Sequence, residues 1–441
     1  MGGLRRKLGN IFQLGLKELR SLYRDPAMLV LIIYSFTLAI YEGATAIPAN
    51  FIAGFEAQKK DLLASIMDDE NGTGATTLTE TTWRIAQLAV KNGGMGMENL
   101  SHVKYAAIIA SALLTNVDIG KEAFLSGPLK PDESSSLVRD FHRALTVIQQ
   151  ADGSITWFKL KEMSKRTTST LQHELTAILQ KKDLDRLLSL ELGPDSLMPD
   201  HFNWFNSLQT PDAGLWLTIH KTKGLKLTND EFRVALLHRC FAPQPSLLPN
   251  FTCKCGRGAG HVDERGHHLI TGCAREGVRQ ATHDSITTAL YNVLRVYGIH
   301  ARKEICPFKE AIPNCKKRLD IVVTEGQLAS DKRLLLDITI TNPVNSVTRN
   351  TRVNQDSASS AAYNIKINKY KAPAAAVNSV VKPVVFESTG RLHPETIALF
   401  KQIAGVDGTN VCLDTKNLYR YWMRVISVTL QKGLARAFLV W

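Results

Sequence analysis

Acidic residues are in short supply in this chain: 41 Asp and Glu stand against 54 Lys and Arg, a formal net charge of +13. That deficit points to a polyanionic partner, with nucleic acid the leading candidate and an acidic membrane surface the second. Cysteine is sparse and odd in number, seven over 441 residues. Only Cys253, Cys255 and Cys273 cluster, while Cys240, Cys306, Cys315 and Cys412 are scattered. This excludes a disulfide framework and fits reduced, intracellular thiols with one metal cluster. No internal repeat stands out. Long apolar runs are also missing but for AMLVLIIYSFTLAIY at 27–41, which falls short of the roughly 20 residues of a spanning helix. The run reaches residue 47 only across Glu42. A secretory signal is a poor match, because the basic region is longer than such signals carry.

What is present suits a globular chain of two or three domains: 44% hydrophobic and 22% charged residues. Asp68-Asp69 is followed at once by Glu70-Asn71-Gly72, so it does not read as the aspartate pair of a polymerase palm, which needs apolar strand on both sides. From 93 to about 250 the periodicity is mainly helical, as in SLVRDFHRALTVIQQ and NDEFRVALLHRCF. Asn229 or Asp230 is the expected N-cap of the last helix. His220, His238, Trp204, Phe205 and Trp216 read as packing residues rather than ligands.

The segment FTCKCGRGAGHVDERGHHLITGC carries C-x-C…H-x4-C: Cys253, Cys255, His268 and Cys273. Two thiolates near one turn with a distal His and Cys can close a tetrahedron around a structural zinc. His267 is the rival ligand and His261 lies outside the pattern. Gly256, Gly258 and Gly260 let the backbone wrap tightly.

Further on, VRQATHDSITTALYNVLRVYG predicts a helix with the apolar stripe Ile286, Ala289, Leu290, Val293, Leu294 and Tyr297. IHARKEICPF predicts a strand carrying Glu304. KRLDIVV and RLLLDITI predict two buried strands, each interrupted by one carboxylate. Alternation puts Leu319, Ile321 and Val323 on one face and Asp320 on the other. It likewise separates Leu334, Leu336, Ile338 and Ile340 from Asp337 and Thr339. A carboxylate in an apolar strand is costly unless a partner offsets its desolvation, and a bound cation is one such partner. If the strands pair, both aspartates can converge on one magnesium or manganese ion. A helix over DSASSAAYNIKINKYK follows, with Lys366, Lys369 and Tyr370 at i, i+3 and i+4. Then come a strand, PVVFES, and a helix, HPETIALFKQIA. The order α-β-β-β-α-β with acids on the middle strands suits metal-dependent phosphodiester cleavage.

Two resemblances follow. NGGMGMENL, LKLTNDEFRVALLHR, C-x-C…H-x4-C, THDSI, RLDIVV, LLLDITITNPV, KINKY and PVVFESTGR together resemble the C-terminal part of non-LTR retrotransposon polyproteins. The likeness runs from about residue 93 to 404. It implies a PD-(D/E)XK restriction-like endonuclease beside a zinc knuckle, with DNA (or RNA) as partner, and a nuclear location if the element is eukaryotic. It makes Asp320 and Asp337 metal ligands, Glu304 an upstream acid, Lys366 or Lys369 the catalytic lysine, and His283 and Tyr370 supporting residues. Leu319 stands in place of the motif proline. Thr339 stands in place of the motif lysine, so that role passes to the following helix. Separately, FQLGLKELRSLYRDPAMLVLIIYSFTLAIYEGATAIP, about residues 10–48, resembles the first segment of ABC transporter permeases. It implies membrane contact through residues 27–47.

The expected architecture is therefore α+β. Residues 1–48 form a basic amphipathic helix and an apolar helix, 49–92 a linker, and 93–250 a helical region akin to the thumb side of a reverse transcriptase. A zinc knuckle at 251–277 precedes a nuclease-like α/β domain with a central mixed sheet at 278–405 and a tail at 406–441.

Overall fold

The computed structural model describes residues 49–68, 78–115, 136–164, 168–193, 199–217, 225–244, 247, 253, 255, 263–271, 273, 278–345, 348, 351–406 and 412–439. The expected N-terminal helices at 1–48, including the apolar run, lie outside them, as do His220 and His261. The fold is mixed α+β and divides into two compact units. Residues 94–196 of the long helical stretch belong to the first unit, and residues 197 onward to the second.

The first unit is helical. It contains α1 (Ala49–Met67), α2 (Glu80–Gln87), α3 (Leu100–Thr115), α4 (Ser136–Ala151), α5 (Trp157–Ser164) and α6 (Thr168–Arg186). Helices α3, α4 and α6 pack on one another through Ile108, Ile109, Leu113, Phe141, Leu145, Ile148, Leu171, Leu175 and Leu179. Each such side chain contributes roughly 1.5–3 kcal/mol by leaving water. Thr79 caps α2, its hydroxyl accepting the N–H of Thr82 at 3.1 Å. Lys59, 3% exposed, is balanced by Glu56 at 3.0 Å and the Glu98 carbonyl at 2.9 Å. Burial lowers its pKa, and the Glu56 charge and hydrogen bond oppose that.

The second unit holds α7 (Pro199–Leu208), α8 (Asn229–Arg239), α9 (His267–Thr271) and α10 (Val278–Val296). Strands β1 (Ala301–Ile305), β2 (Leu319–Val323) and β3 (Arg333–Thr341) follow, then α11 (Ser357–Ala376), β4 (Ser379–Glu387), α12 (Pro394–Ala404) and α13 (Leu413–Leu439). The sheet order is β1-β2-β3-β4. The first three strands form an antiparallel meander, and β4 runs parallel to β3, with α11 as the crossover between them.

The sheet is covered on both faces because its strands are apolar on both. Ile321, Val323, Leu334, Leu336, Ile338, Val384 and Phe386 share a core with the α10 stripe Ile286, Ala289, Leu290, Val293 and Leu294. Val322, Leu335 and Val381, of the opposite parity, pack under Tyr370 and Ala374 of α11. Leu319 corrects the alternation read from sequence: it joins Phe308, Leu335 and Tyr370 rather than the Ile321 face. It is the first residue of β2, paired with Ile305 beside Glu304, whose φ of 57° interrupts the β1–β2 ladder. The N-cap of α8 is likewise Thr228, not Asn229 or Asp230. Its hydroxyl accepts Glu231 N–H at 3.2 Å while the Glu231 carboxylate accepts Thr228 N–H at 3.0 Å. A threonine three residues before glutamate satisfies two helix-end donors at once, which neither alternative can do.

Residues read as a tail form α13, a 27-residue helix laid on α8 and α10. Ile426, Leu430, Leu434 and Phe438 supply its buried stripe. At Gly433 the helices touch: a Cβ there would stand 2.4 Å from Thr282 Cγ2 and 2.8 Å from Thr282 Cβ. Thr282 precedes His283, so this contact sets where the start of α10 meets the sheet.

Candidate functional site

Two groups of chemistry-bearing side chains are assembled in the second unit. The first is the cysteine–histidine cluster. Asp263 initiates the turn that carries it, accepting the N–H groups of Arg265 at 3.0 Å and His267 at 3.2 Å. Gly266 follows at φ 64°, a left-handed position that glycine adopts without Cβ strain. Helix α9 then presents His268, and Cys273 N–H closes the turn on the His268 carbonyl at 2.8 Å. The ligand atoms of Cys253, Cys255, His268 and Cys273 all lie within 4.8 Å of one another. Cys253 Sγ and Cys273 Sγ are 3.5 Å apart, and Cys255 Sγ is 3.3 Å from His268 Nε2. Three sulfurs and one imidazole nitrogen gathered this closely form a closed set that can bind a metal such as zinc. Cys253 and Cys273 are buried in the main core with Leu269 and Ile270, so the cluster is built onto the sheet's own core.

The rival ligand is engaged elsewhere. His267 stacks on Trp204 at 5.8 Å with its ring 18° from parallel, and lies 5.7 Å from Phe241. Trp204 also receives His238 edge-on at 4.4 Å. Trp204, Phe205 and His238 are buried, as is Trp216. Burial, reinforced by the nearby His267, drives His238 down to about 3.

The second group lies where β2 and β3 leave their ladder. The last β2–β3 pair is Ile321 with Leu336, which brings Asp320 and Asp337 opposite one another just beyond it. Asp320 Oδ2 accepts the Ile338 N–H at 2.6 Å and lies 3.2 Å from His283 Nε2 on α10. His283 Nδ1 is 3.2 Å from Asp284 Oδ1. Burial alone would depress His283, but hydrogen bonds and charge from Asp320 and Asp284 outweigh it and raise it to about 9. A carboxylate at each ring nitrogen calls for two N–H donors, hence the imidazolium.

Asp337, 5% exposed, pairs through Oδ2 with Lys366 Nζ at 2.6 Å. Tyr370, one turn further along α11, hydrogen-bonds the same carboxylate, and its pKa is raised by burial and by Asp337. The Thr339 hydroxyl is 3.5 Å from Asp337 Oδ2. Lys369 points elsewhere, its ammonium 4.6 Å from the Tyr370 ring centroid on the exposed side. Glu304 sits on edge strand β1 at the break between the Lys303–Ile321 and Ile305–Leu319 pairs, and its exposed carboxylate faces Arg318 at 3.3 Å. Among the described residues it is not gathered with the two aspartates into a three-ligand group. His283, Asp320, Asp337, Lys366 and Tyr370 thus converge, while Glu304 and Lys369 flank them.

Sequence reasoning missed a third acid. Glu387 ends β4 at 2% exposure, opposite Thr341. It accepts the Ser207 hydroxyl and, at 3.2 Å, the Ser359 N–H in the first turn of α11. Burial raises its pKa. Asp356, the N-cap of α11, is held by Arg391 at 2.6 Å. These contacts anchor the start of the helix that brings Lys366 and Tyr370 to Asp337. The signal was available: VVFE is one more apolar strand ending in a carboxylate.

No family model matches the chain. Over 45 residues it is 58% identical to the inner membrane transport permease YhhJ of Escherichia coli K12, and to that of Shigella flexneri. The match covers 10% of this chain and 12% of each relative. Among the described residues no helix is long and apolar enough to cross a membrane.

Proposed function

We propose that the second unit is a divalent-metal-dependent DNA endonuclease of the restriction-like type, derived from a retroelement, with the Cys3His cluster as a structural zinc site beside it. The observation that carries this reading is the convergence of Asp320 and Asp337 from adjacent strands with Lys366, Tyr370 and His283 from the two flanking helices. The likeness of the surrounding motifs to restriction-like endonucleases supports it. The donor set fits a hard cation: both contacts to Asp320 fall on Oδ2, leaving Oδ1 for an ion. Asp320 and Asp337 would hold magnesium or manganese, which supplies an activated water and neutralises phosphate charge.

The chain's own residues do the rest. The Ile338 N–H and the His283 imidazolium fix the orientation of Asp320. Tyr370 donates to Asp337 and holds it toward the site. Lys366, partly exposed beside Asp337, is the cation placed to offset negative charge growing on a phosphodiester. Supercoiled plasmid incubated with the full chain and magnesium or manganese is the test. Nicking lost in Asp337→Asn supports the proposal; absence of nicking, or nicking indifferent to that substitution, ends it.

Thr339 favours a second reading. With a hydroxyl where the motif lysine stands, the unit would be a nucleic-acid-binding module without catalysis. It would retain zinc and bind DNA while showing no Asp337-dependent cleavage. The permease likeness covers too little of the chain to carry a transport reading.

A further inference from the structure

Helix α11 does more than deliver Lys366. Its buried side is fixed by Ala358, Ser359, Tyr370 and Ala374. Its other side is open: Asn364, Ile365, Asn368, Lys369 and Lys371 are all exposed, Ile365 at 65%. Ile365 is the one large apolar side chain of this helix left exposed, and that calls for an explanation. The helix is also one-signed: Lys366, Lys369 and Lys371 lie along it, and no acid falls between Ser357 and Ala376. Asn364 and Asn368 are spaced i, i+4, so their amides stack on one face. Neither amide hydrogen-bonds to the rest of the described chain.

We propose that the solvent face of α11 is the element that reads base sequence in the major groove of duplex DNA. The proposal rests on the endonuclease reading above for its choice of substrate. The major groove, about 12 Å wide, admits one α-helix. A carboxamide is the side chain that pairs in bidentate fashion with adenine, and an exposed aliphatic group meets the thymine methyl. Asn368 and Asn364 supply the first and Ile365 the second. Lys369 and Lys371 face the phosphates that flank a groove-bound helix, the charge complement that commits this face to a polyanion. Lys366 lies less than one helical turn, about 5 Å, from Ile365 and Lys369. Base reading and the Asp337 site are therefore coupled through one rigid helix, and recognition fixes which phosphate reaches the carboxylates.

The test needs no cleavage. The full chain, without added divalent metal, is used to select from a pool of random DNA duplexes, in parallel with Asn364→Ala, Ile365→Ala, Asn368→Ala and Lys369→Ala. These exposed helix positions accept alanine without loss of helix propensity, and thermal melting confirms the fold. The wild-type chain is expected to enrich a motif containing A·T pairs. Asn368→Ala and Asn364→Ala are expected to relax the choice at one position by roughly tenfold or more. Lys369→Ala should weaken all sequences alike and reduce the salt dependence by about one phosphate contact. The proposal is overturned if all variants enrich the same motif, if the wild type enriches none, or if it prefers duplex RNA, whose major groove excludes a helix. If plasmid nicking fails while the Asn368-dependent motif persists, only the catalytic reading falls. If nicking holds and selection ignores α11, only this proposal falls.

Discussion

The two polar centres of the second unit are opposites in construction. The Cys3His cluster is closed: three thiols and an imidazole face one another, two of the thiols deep in the main core, with all ligand atoms mutually within 4.8 Å. The aspartate centre is open. Its two carboxylates already have protein partners, Lys366 and His283, and it offers a cation fewer donors than the ion's full complement. A closed thiolate set binds zinc tightly and makes that binding part of the folding energy. An open carboxylate pair binds magnesium weakly and leaves positions for water and phosphate. Fold stability and chemistry should therefore separate between the two centres.

The largest effect is expected at the closed centre. Cys273→Ser or His268→Ala should release zinc and cost about 4 kcal/mol or more, lowering the melting temperature by roughly 10 °C. Metal analysis and thermal melting measure both. His267→Ala should keep the zinc, because its ring packs on Trp204 rather than facing the thiols. Zinc lost equally in His267→Ala would reverse the ligand assignment.

At the open centre the order inverts. Asp337→Asn should cut nicking by about a hundredfold or more while leaving the melting temperature nearly unchanged. Lys366 is partly exposed and can turn to water once its partner is gone. Lys366→Ala is the harsher change for the fold, since it strands a carboxylate that is 5% exposed. Discounted for the exposure of Lys366, the cost is about 1–3 kcal/mol. A melt in which Asp337→Asn is the worse of the two would contradict this.

The helix contact that joins the regions gives an intermediate case. Gly433→Ala forces a methyl against the stiff Thr282 side chain and should cost about 1–3 kcal/mol. Because Thr282 neighbours His283, this variant should also disturb the imidazolium, visible as a shifted histidine titration by NMR. An unchanged titration with lowered stability would confine the damage to packing.

How far these centres were legible from sequence depends on the range of the interaction. Period-2 alternation set Ile321 and Leu336 on the faces opposite Asp320 and Asp337, because successive side chains of a strand point to opposite sides. The C-x-C…H-x4-C spacing named four donors, yet it could not choose between His267 and His268. That choice follows from Trp204, which is distant in sequence and occupies the first ring. Lys366 and Lys369 share one side of α11, and only the observed contacts send one to Asp337 and the other to the Tyr370 ring. Glu304 lay in a predicted strand, but its left-handed backbone has no sequence signal in ARKEI. Helix α13 was read only as a tail, although its stripe of Ile426, Leu430, Leu434 and Phe438 was there to find.

A last effect, small near neutral pH, separates the two sides by pH. His238 packs against Trp204 on the side of the Cys3His cluster, and its folded value of about 3 lies well below the ordinary 6.5. Above pH 6.5 it is neutral in both folded and unfolded chains and contributes no slope. As pH falls below 6.5 the unfolded chain takes up a proton that the folded one refuses, so stability declines. The loss approaches about 2 kcal/mol by pH 5. His238→Phe, which keeps an aromatic edge against Trp204, should remove that part of the slope in denaturant titrations at pH 7, 6 and 5. Zinc release in acid would add a second decline, and it would persist in His238→Phe. The difference between the two proteins therefore isolates the buried imidazole. If their slopes coincide, His238 is not held neutral by burial, and the acid sensitivity of this region belongs to the metal ligands alone.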